Sequence, residues 1–246
     1  MIKKTVLITG AAKGIGRACA KLFAENDYQV AIHYHSSKER AKQLEEEIKQ
    51  MGKSCALAYA DISNPDQVRS MVQAVKAVYG PIDVLVNNAG IAQQKLLTDI
   101  SDEEWKTMFA VNIDGVFYCC KAVLPDMISK KAGKIINISS IWGMVGASCE
   151  VHYSASKAAV IGFTKALAKE VGPSHITVNC VAPGVINTEM NNSLDAETIA
   201  ALEEETPLGV IGCVDDIANT VYFLSSKQSD FITGQVISPN GGFVIS

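Results

Sequence analysis

No two cysteines in this chain have C-x-x-C spacing, and no histidine cluster stands near any of them. The seven, Cys19, Cys55, Cys119, Cys120, Cys149, Cys180 and Cys213, are odd in number and scattered, which excludes a disulfide framework and a structural zinc site. Most lie in apolar segments, where a free thiol is a small buried hydrophobe. No residue pattern asks for a metal. Long basic blocks are missing too, and at a net charge of −4 nucleic acid and anionic membrane are poor partners. No uninterrupted apolar run reaches the ~18 residues that cross a bilayer. Behind Met1-Ile2-Lys3-Lys4 the apolar segment is broken by Gly10, Lys13 and Arg17, too early for a secretory leader, so a cytoplasmic protein is expected. Repeats, composition breaks and Pro/Ser linkers are also lacking. The 246 residues therefore read as one domain, 1–246.

What the chain does have is alternation. Short apolar runs at 5–9, 28–34, 54–59, 82–86, 134–138, 176–181 and 235–238 read as buried strands. Helical periods fill the intervals at 14–25, 38–51, 65–79, 102–129, the stretch after Tyr153, 196–205 and 214–225. Gly52 suits a helix end and Pro65 a first helical turn, while Pro125 predicts a bend or stop in the long fourth helix. Strands alternating with helices of about 12 residues or more imply βαβ units. Right-handed crossovers then give a doubly wound parallel sheet, Rossmann-like, with seven strands and helices on both faces. Substrate contacts must come from loops at the carboxyl ends of the strands, of which 139–152 and 183–213 are the longest. The segment 185–206 is expected to act as a mobile lid.

The first strand ends in Thr9-Gly10-Ala11-Ala12-Lys13-Gly14-Ile15-Gly16. Its spacing is G-x-x-x-G-x-G, and no Gly-Lys-Ser/Thr follows, so it does not resemble a nucleoside-triphosphate loop. Glycines there let the backbone turn tightly and approach a pyrophosphate, which the helix N-terminus stabilises. The end of the second strand bears on cofactor choice. An acidic residue there binds a ribose 2′-hydroxyl and repels a 2′-phosphate. His33-Tyr34-His35-Ser36-Ser37-Lys38 carries no carboxylate before Glu39. Ser36, Ser37 and Lys13 suit a phosphate, which favours NADP(H) over NAD. Ser37 also suits a helix N-cap, and His35 a surface or stacking position.

Tyr153-Ser154-Ala155-Ser156-Lys157 sets a phenol one helical turn from an ammonium. The ammonium would stabilise the phenolate and lower the pKa of Tyr153, fitting it for proton transfer near working pH. Alone, the pentapeptide fits an ordinary amphipathic helix better than a catalytic pair.

With the glycine loop, Asn87-Asn88-Ala89-Gly90 after the fourth strand, Ser140 thirteen residues before Tyr153, and the Tyr153/Lys157 pair, the chain resembles the short-chain dehydrogenase/reductase family along its whole length. Pro183-Gly184, Thr188 and Gly241-Gly242 fit the same pattern. The resemblance implies that Tyr153 passes a proton to a substrate carbonyl oxygen as hydride arrives from the nicotinamide. Lys157 would lower the tyrosine pKa and hold the nicotinamide ribose. Ser140, rather than Ser139, would polarise the carbonyl, and Asn112 would support a water relay that needs a local kink. Gly10, Lys13, Gly14, Ile15, Gly16, Ser36, Ser37, Asp61, Ile62, Asn87, Ala89, Gly90, Pro183, Gly184, Val185, Ile186 and Thr188 match cofactor-contacting stretches. His152 is read as a packing or subunit-contact residue.

Within the family the chain looks most like the β-ketoacyl-acyl-carrier-protein reductases of fatty-acid synthesis. That implies a homotetramer paired through the fourth helix and the Tyr153 helix, to which Phe109, Phe117, Ile161 and Phe163 offer apolar surface. It also implies an acyl carrier protein, an acidic partner, docking near Lys130, Lys131 and Lys169. Relatives acting on a cyclic ketone, sugar, polyol or steroid share the skeleton. A non-catalytic cofactor-binding protein is disfavoured by the complete set Ser140, Tyr153, Lys157 and Asn112. The chain departs from the pattern at Gln93, Gln94, Glu150, Val210 and Asn240. Trp142 and Met144, which bulk the loop before Tyr153, either line the substrate pocket or pack the loop.

Overall fold

The computed structural model describes residues 3–189 and 195–245. Residues 190–194, the middle of the expected lid, lie outside them. Seven parallel strands form one sheet in the order β3-β2-β1-β4-β5-β6-β7. The strands are β1 (Thr5–Ile8), β2 (Gln29–Tyr34), β3 (Cys55–Tyr59), β4 (Val84–Asn87), β5 (Gly133–Ile138), β6 (Ile176–Val181) and β7 (Val236–Ile237). In register, Val6, Leu7 and Ile8 stand beside Val30, Ala31 and Ile32 of β2, and beside Val84, Leu85 and Val86 of β4.

These strands read as unbroken apolar runs because both faces are covered. Alternate residues point to opposite sides. Val6 and Ile8 join Cys19, Phe23, Leu44 and Val221 in one core, beneath α1 (Gly14–Glu25), α2 (Lys38–Gln50) and α9 (Val214–Ser225). Leu7 joins Val72, Val123, Val160 and Leu167 in the other, beneath α3 (Pro65–Tyr79), α5 (Gly115–Lys130) and α7 (Val151–Val171). Phe23 is fully buried and meets Tyr28 and Tyr222 edge-on, with ring centroids 5.0 and 5.5 Å away. At α3 the signals in the sequence act directly. Asn64 accepts hydrogen bonds from the Asp66 and Gln67 N–H groups, with Pro65 in the first turn.

The long helix expected over 102–129 is three pieces. α4 (Asp102–Phe109) opens with a capping box between Ser101 and Glu104. Residues Ala110–Asp114 form a π-helical turn, and α5 follows. The break falls at Asn112, whose side chain bonds the backbone of Ile91, while Pro125 stands inside α5 and does not end it. By length and composition Asp102–Lys130 is apolar enough to cross a membrane. Its residues Val116, Cys119, Cys120, Val123 and Met127 are instead core, packed on the sheet. Two short helices complete the catalogue: α6 (Trp142–Val145), unforeseen in the sequence, and α8 (Ala196–Glu205).

The chain leaves β1 toward β2 on one side and reaches β4 on the other. At that reversal the loops after β1 and β4 diverge and open a crevice at the carboxyl edge. The loops carrying the glycines, Ser36-Ser37, Asp61, Gly90, Ser140 and Pro183 all leave strands at this edge.

Candidate active site

Tyr153 and Lys157 project from the first turns of α7 into a cavity of about 460 Å³ at the crevice. Ser139 and Ser140 reach it from the end of β5, and Gly90 from the end of β4. The two serines have different partners. Ser139 donates its hydroxyl to the Lys157 carbonyl at 2.8 Å, tying β5 to α7. Ser140 lines the cavity beside the Tyr153 phenol, whose pKa it acts to lower, and its oxygen accepts from the Trp142 N–H at 3.1 Å. Lys157 donates to the Ile138 carbonyl at 3.0 Å, and its Nζ stands 5.7 Å from the centre of the Tyr153 ring. Gly90 sits tightly in the middle of this group. A Cβ there would come within 3.1 Å of Asn112 Oδ1 and 3.3 Å of Lys157 Nζ.

Burial sets the electrostatics, and it corrects the expectation for Tyr153. Its pKa is not lowered but pushed up to about 12, because desolvation outweighs the lowering influence of Ser140, and Glu150 adds to the rise. Lys157 is pushed down to about 8 by its own burial. Tyr153 is therefore fully protonated at neutral pH, which suits a proton donor.

Asn112 sits in the π-helical turn, where helical hydrogen bonding is locally rerouted. It is fully engaged by its neighbours. Oδ1 accepts from the Ile91 N–H at 2.9 Å, and Nδ2 donates to the Ile91 carbonyl at 2.9 Å and to Ser156 Oγ at 3.0 Å. Its side chain thus pins the segment after β4 beside Tyr153.

The glycine loop packs as tightly as its composition implies. Gly10 and Gly14 have φ of +63° and +52°. A Cβ at Gly16 would stand 2.4 Å from the Gly10 carbonyl oxygen and 2.5 Å from Asn88 Nδ2. Asn88 holds the loop by donating to the carbonyls of Thr9 and Gly10. His33 holds it from the other side and was missed in the sequence. The Gly10 N–H donates to His33 Nδ1 at 2.9 Å, so Nε2 carries the proton and donates to the Ala60 carbonyl at 3.0 Å. Burial lowers the His33 pKa to about 4, keeping the ring neutral. A histidine near the end of an otherwise apolar strand was the available signal.

The remaining sequence-predicted positions divide. Ile15, Gly184, Val185, Ile186 and Thr188 line the cavity with Pro183, and Thr188 lies across the glycine loop, 3.8 Å from a Cβ placed on Gly14. Ser36 is exposed and Ser37 half-buried at the first turn of α2, where Ser37 makes no side-chain cap. Lys13, exposed, precedes α1. Asp61 accepts from the N–H and hydroxyl of Ser63. Ala89 takes its place at the loop, its N–H donating to Thr9 Oγ1. Two positions turn their side chains into the core. Asn87 is buried and ties β4 to β5 and α5, donating to Asn137 Oδ1 at 2.8 Å and to Cys120 Sγ at 3.3 Å, while Asn88 lines the cavity. The Ile62 side chain packs on Gly115 of α5.

On the substrate side, Trp142 lines the cavity and rests edge-on against Phe243, while Met144 does not reach it. Gln93, Gln94 and Glu150 form the facing wall. His152 is wholly buried, and its Nε2 lies 3.0 Å from Gln93 Oε1. Gln93 donates to Glu104, which also binds Lys95. The packing reading of His152 thus gains content, since it bonds a wall residue. The lysines expected to dock a carrier protein lie apart from the cavity within this chain. Lys130 pairs with Asp83 just before β4, and Lys131 caps the end of α5 before β5, so both lie at the amino edge of the sheet. Lys169 lies 16 residues along α7 from Tyr153, about 24 Å away at 1.5 Å per residue. Within the chain none of them borders the cavity mouth. Among the described residues no group of three or more His, Cys, Asp and Glu side chains is placed to hold a metal ion. Five of the seven cysteines are buried.

A family model described as enoyl-(acyl carrier protein) reductase matches residues 10–244. The 3-oxoacyl-[acyl-carrier-protein] reductase of Staphylococcus aureus strain Mu50 is 43% identical over 239 residues, covering 97% of each chain. That of Chlamydia trachomatis serovar D is 42% identical over 245 residues, 98% of each. A crystal structure of 3-oxoacyl-[acyl-carrier protein] reductase from Brucella melitensis superposes with a TM-score of 0.94 at 34% identity, covering 100% of this chain and 93% of that one.

Proposed function

The chain belongs to the short-chain dehydrogenase/reductase family, and on that premise we propose that it reduces a 3-oxoacyl thioester, carried on acyl carrier protein, to the 3-hydroxyacyl thioester of fatty-acid synthesis, using NADPH. The observation that carries the reading is that Ser140, Tyr153 and Lys157 line one crevice cavity, with Lys157 one turn along α7 from Tyr153. The whole chain, 1–246, acts as one cofactor-binding unit whose substrate loops are 139–152 and 183–213.

The residues present fit a dinucleotide. The glycine loop opens α1 with no room for a Cβ at Gly16, and the crevice runs from it to Lys157. Gly10, Lys13, Gly14, Ile15 and Gly16 would hold the pyrophosphate, Asp61 the adenine end, and Gly184 to Thr188 the nicotinamide. Ser36, Ser37 and Lys13 would take the 2′-phosphate, and no carboxylate precedes Glu39 to repel it. When bound, the cofactor supplies the hydride. Ser140 holds the substrate carbonyl oxygen against Tyr153. The Tyr153 phenol, protonated across the neutral range, delivers its proton to that oxygen. Ser140 and the nearby Lys157 ammonium stabilise the phenolate that remains. Asn112 keeps the wall at Ile91 in register with these groups.

Partner and setting follow the same reading: a homotetramer in the cytoplasm, for which Phe117 and Ile128 of α5 stay 42% and 46% exposed. One observation favours a second reading. The Trp142 ring in the cavity suits a cyclic ketone. NADPH oxidation on acetoacetyl thioesters, on coenzyme A and on acyl carrier protein, separates the two. Turnover on the thioesters, faster with NADPH than NADH, is the expected result. None on either, with cyclic ketones reduced, would replace the substrate assignment.

A further inference from the structure

Glu150 is a carboxylate in the wrong kind of place. It lines the cavity that holds Tyr153 and Ser140. Among the described residues the carboxylate has one hydrogen bond, to a neutral group: Gln94 Nε2 donates to Oε1 at 3.2 Å. Among the described residues it has no ion pair, and residues 190–194 carry no basic side chain. Lys157 is the sole cation among the described residues lining this cavity, and its ammonium is bonded to the Ile138 carbonyl. Nor is Glu150 needed by the fold as a cap. It occupies the N-cap position of α7 without any side-chain bond to the helix. Its charge is felt at the reacting centre, since it contributes to the raised pKa of Tyr153. Lys95, whose N–H donates to the Cys149 carbonyl beside Glu150, does not help, because its ammonium pairs with Glu104.

From this geometry we infer that Glu150 selects substrates by charge: its uncompensated carboxylate admits neutral 3-oxo compounds, such as thioesters and esters, and rejects 3-oxo carboxylates. The inference rests on the ketone-reductase reading and adds to it. A thioester and the free acid left by its hydrolysis share the same 3-oxo group. They differ in the charge on C1, which enters the cavity with the ketone. A fixed negative charge at the wall penalises the acid alone. Like charges several ångströms apart at a partly wet site cost about a tenfold preference or more.

The test is the ratio of kcat/KM for ethyl acetoacetate to that for acetoacetate, with NADPH, in the wild type, Glu150→Gln and Gln94→Arg. Taking a ratio cancels differences in active fraction and cofactor binding. Glu150→Gln removes the charge and should lower the ratio about tenfold or more. Gln94→Arg keeps Glu150 but supplies a cation beside it, and should move the ratio the same way. A ratio in Glu150→Gln equal to that of the wild type overturns the inference and leaves the thioester reading standing. If the wild type reduces no 3-oxo thioester or ester, that reading falls, and the charge preference is measured on 4-oxocyclohexanecarboxylate and its ethyl ester instead. There too, a ratio insensitive to Glu150→Gln overturns it.

Discussion

His33 makes stability depend on pH in a window set by its two states. In the folded chain its pKa is about 4, against an ordinary 6.5, because burial of the ring outweighs its bond to the Ala60 carbonyl. Between those values the unfolded chain holds one proton that the folded chain does not, so stability rises with pH. The contribution is complete above about pH 6.5 and is lost as pH falls toward 4. A shift of 2.5 units at about 1.36 kcal/mol each is about 3 kcal/mol. The matched variant is His33→Gln, which retains a donor and an acceptor but takes up no proton. Urea unfolding of both proteins from pH 7 to pH 4, at one protein concentration, isolates the histidine from the carboxylates, since those are common to both. The wild type should lose about 3 kcal/mol more than the variant across the window. Equal losses would show that His33 is not neutral in the fold, and that its bonds to Gly10 and Ala60 are misassigned.

Three further outcomes are expected. Gly16→Ala forces a Cβ to within 2.4 Å of the Gly10 carbonyl. The loop must move, so the NADPH dissociation constant should rise about tenfold or more, with about 1–3 kcal/mol lost in stability, as read by fluorescence titration and urea unfolding. Asn112→Ala strands the Ile91 N–H and carbonyl and should lower kcat for ketone reduction by about 10²-fold, measured beside an NADPH titration that shows a smaller loss. In the pH profile of kcat/KM for reduction, the alkaline limb should fall near pH 8, where Lys157 loses its proton, rather than near 12, where Tyr153 does.

The sheet was legible because each buried strand is a continuous apolar run and each helix keeps its period. Val6-Leu7-Ile8 needs two cores, and only helices on both faces provide them. The site was legible where chemistry requires a residue type at a spacing, as at Gly10, Gly16, Tyr153 and Lys157. It failed where one tertiary contact decides. The period of 102–129 continues unbroken through Asn112; the kink there was implied by the family resemblance alone, and the Ile91 backbone shows why the turn widens to π. Asn87 and Asn88 are alike in sequence, yet strand alternation sends the first between the strands and the second to the glycine loop. The sign of the Tyr153 shift depended on its burial, which no spacing reveals. The placement of Lys130 and Lys131 was decidable earlier. Residues that precede a strand of a parallel sheet lie at its amino edge, away from a site at the carboxyl edge.

The central claim is that Tyr153 gives the proton in an NADPH-driven ketone reduction. Tyr153→Phe removes one oxygen and nothing else from the cavity. With an acetoacetyl thioester on acyl carrier protein, its kcat should fall by about 10²-fold or more, while NADPH still binds. Turnover within about threefold of the wild type would contradict the claim, because the proton would then have another source.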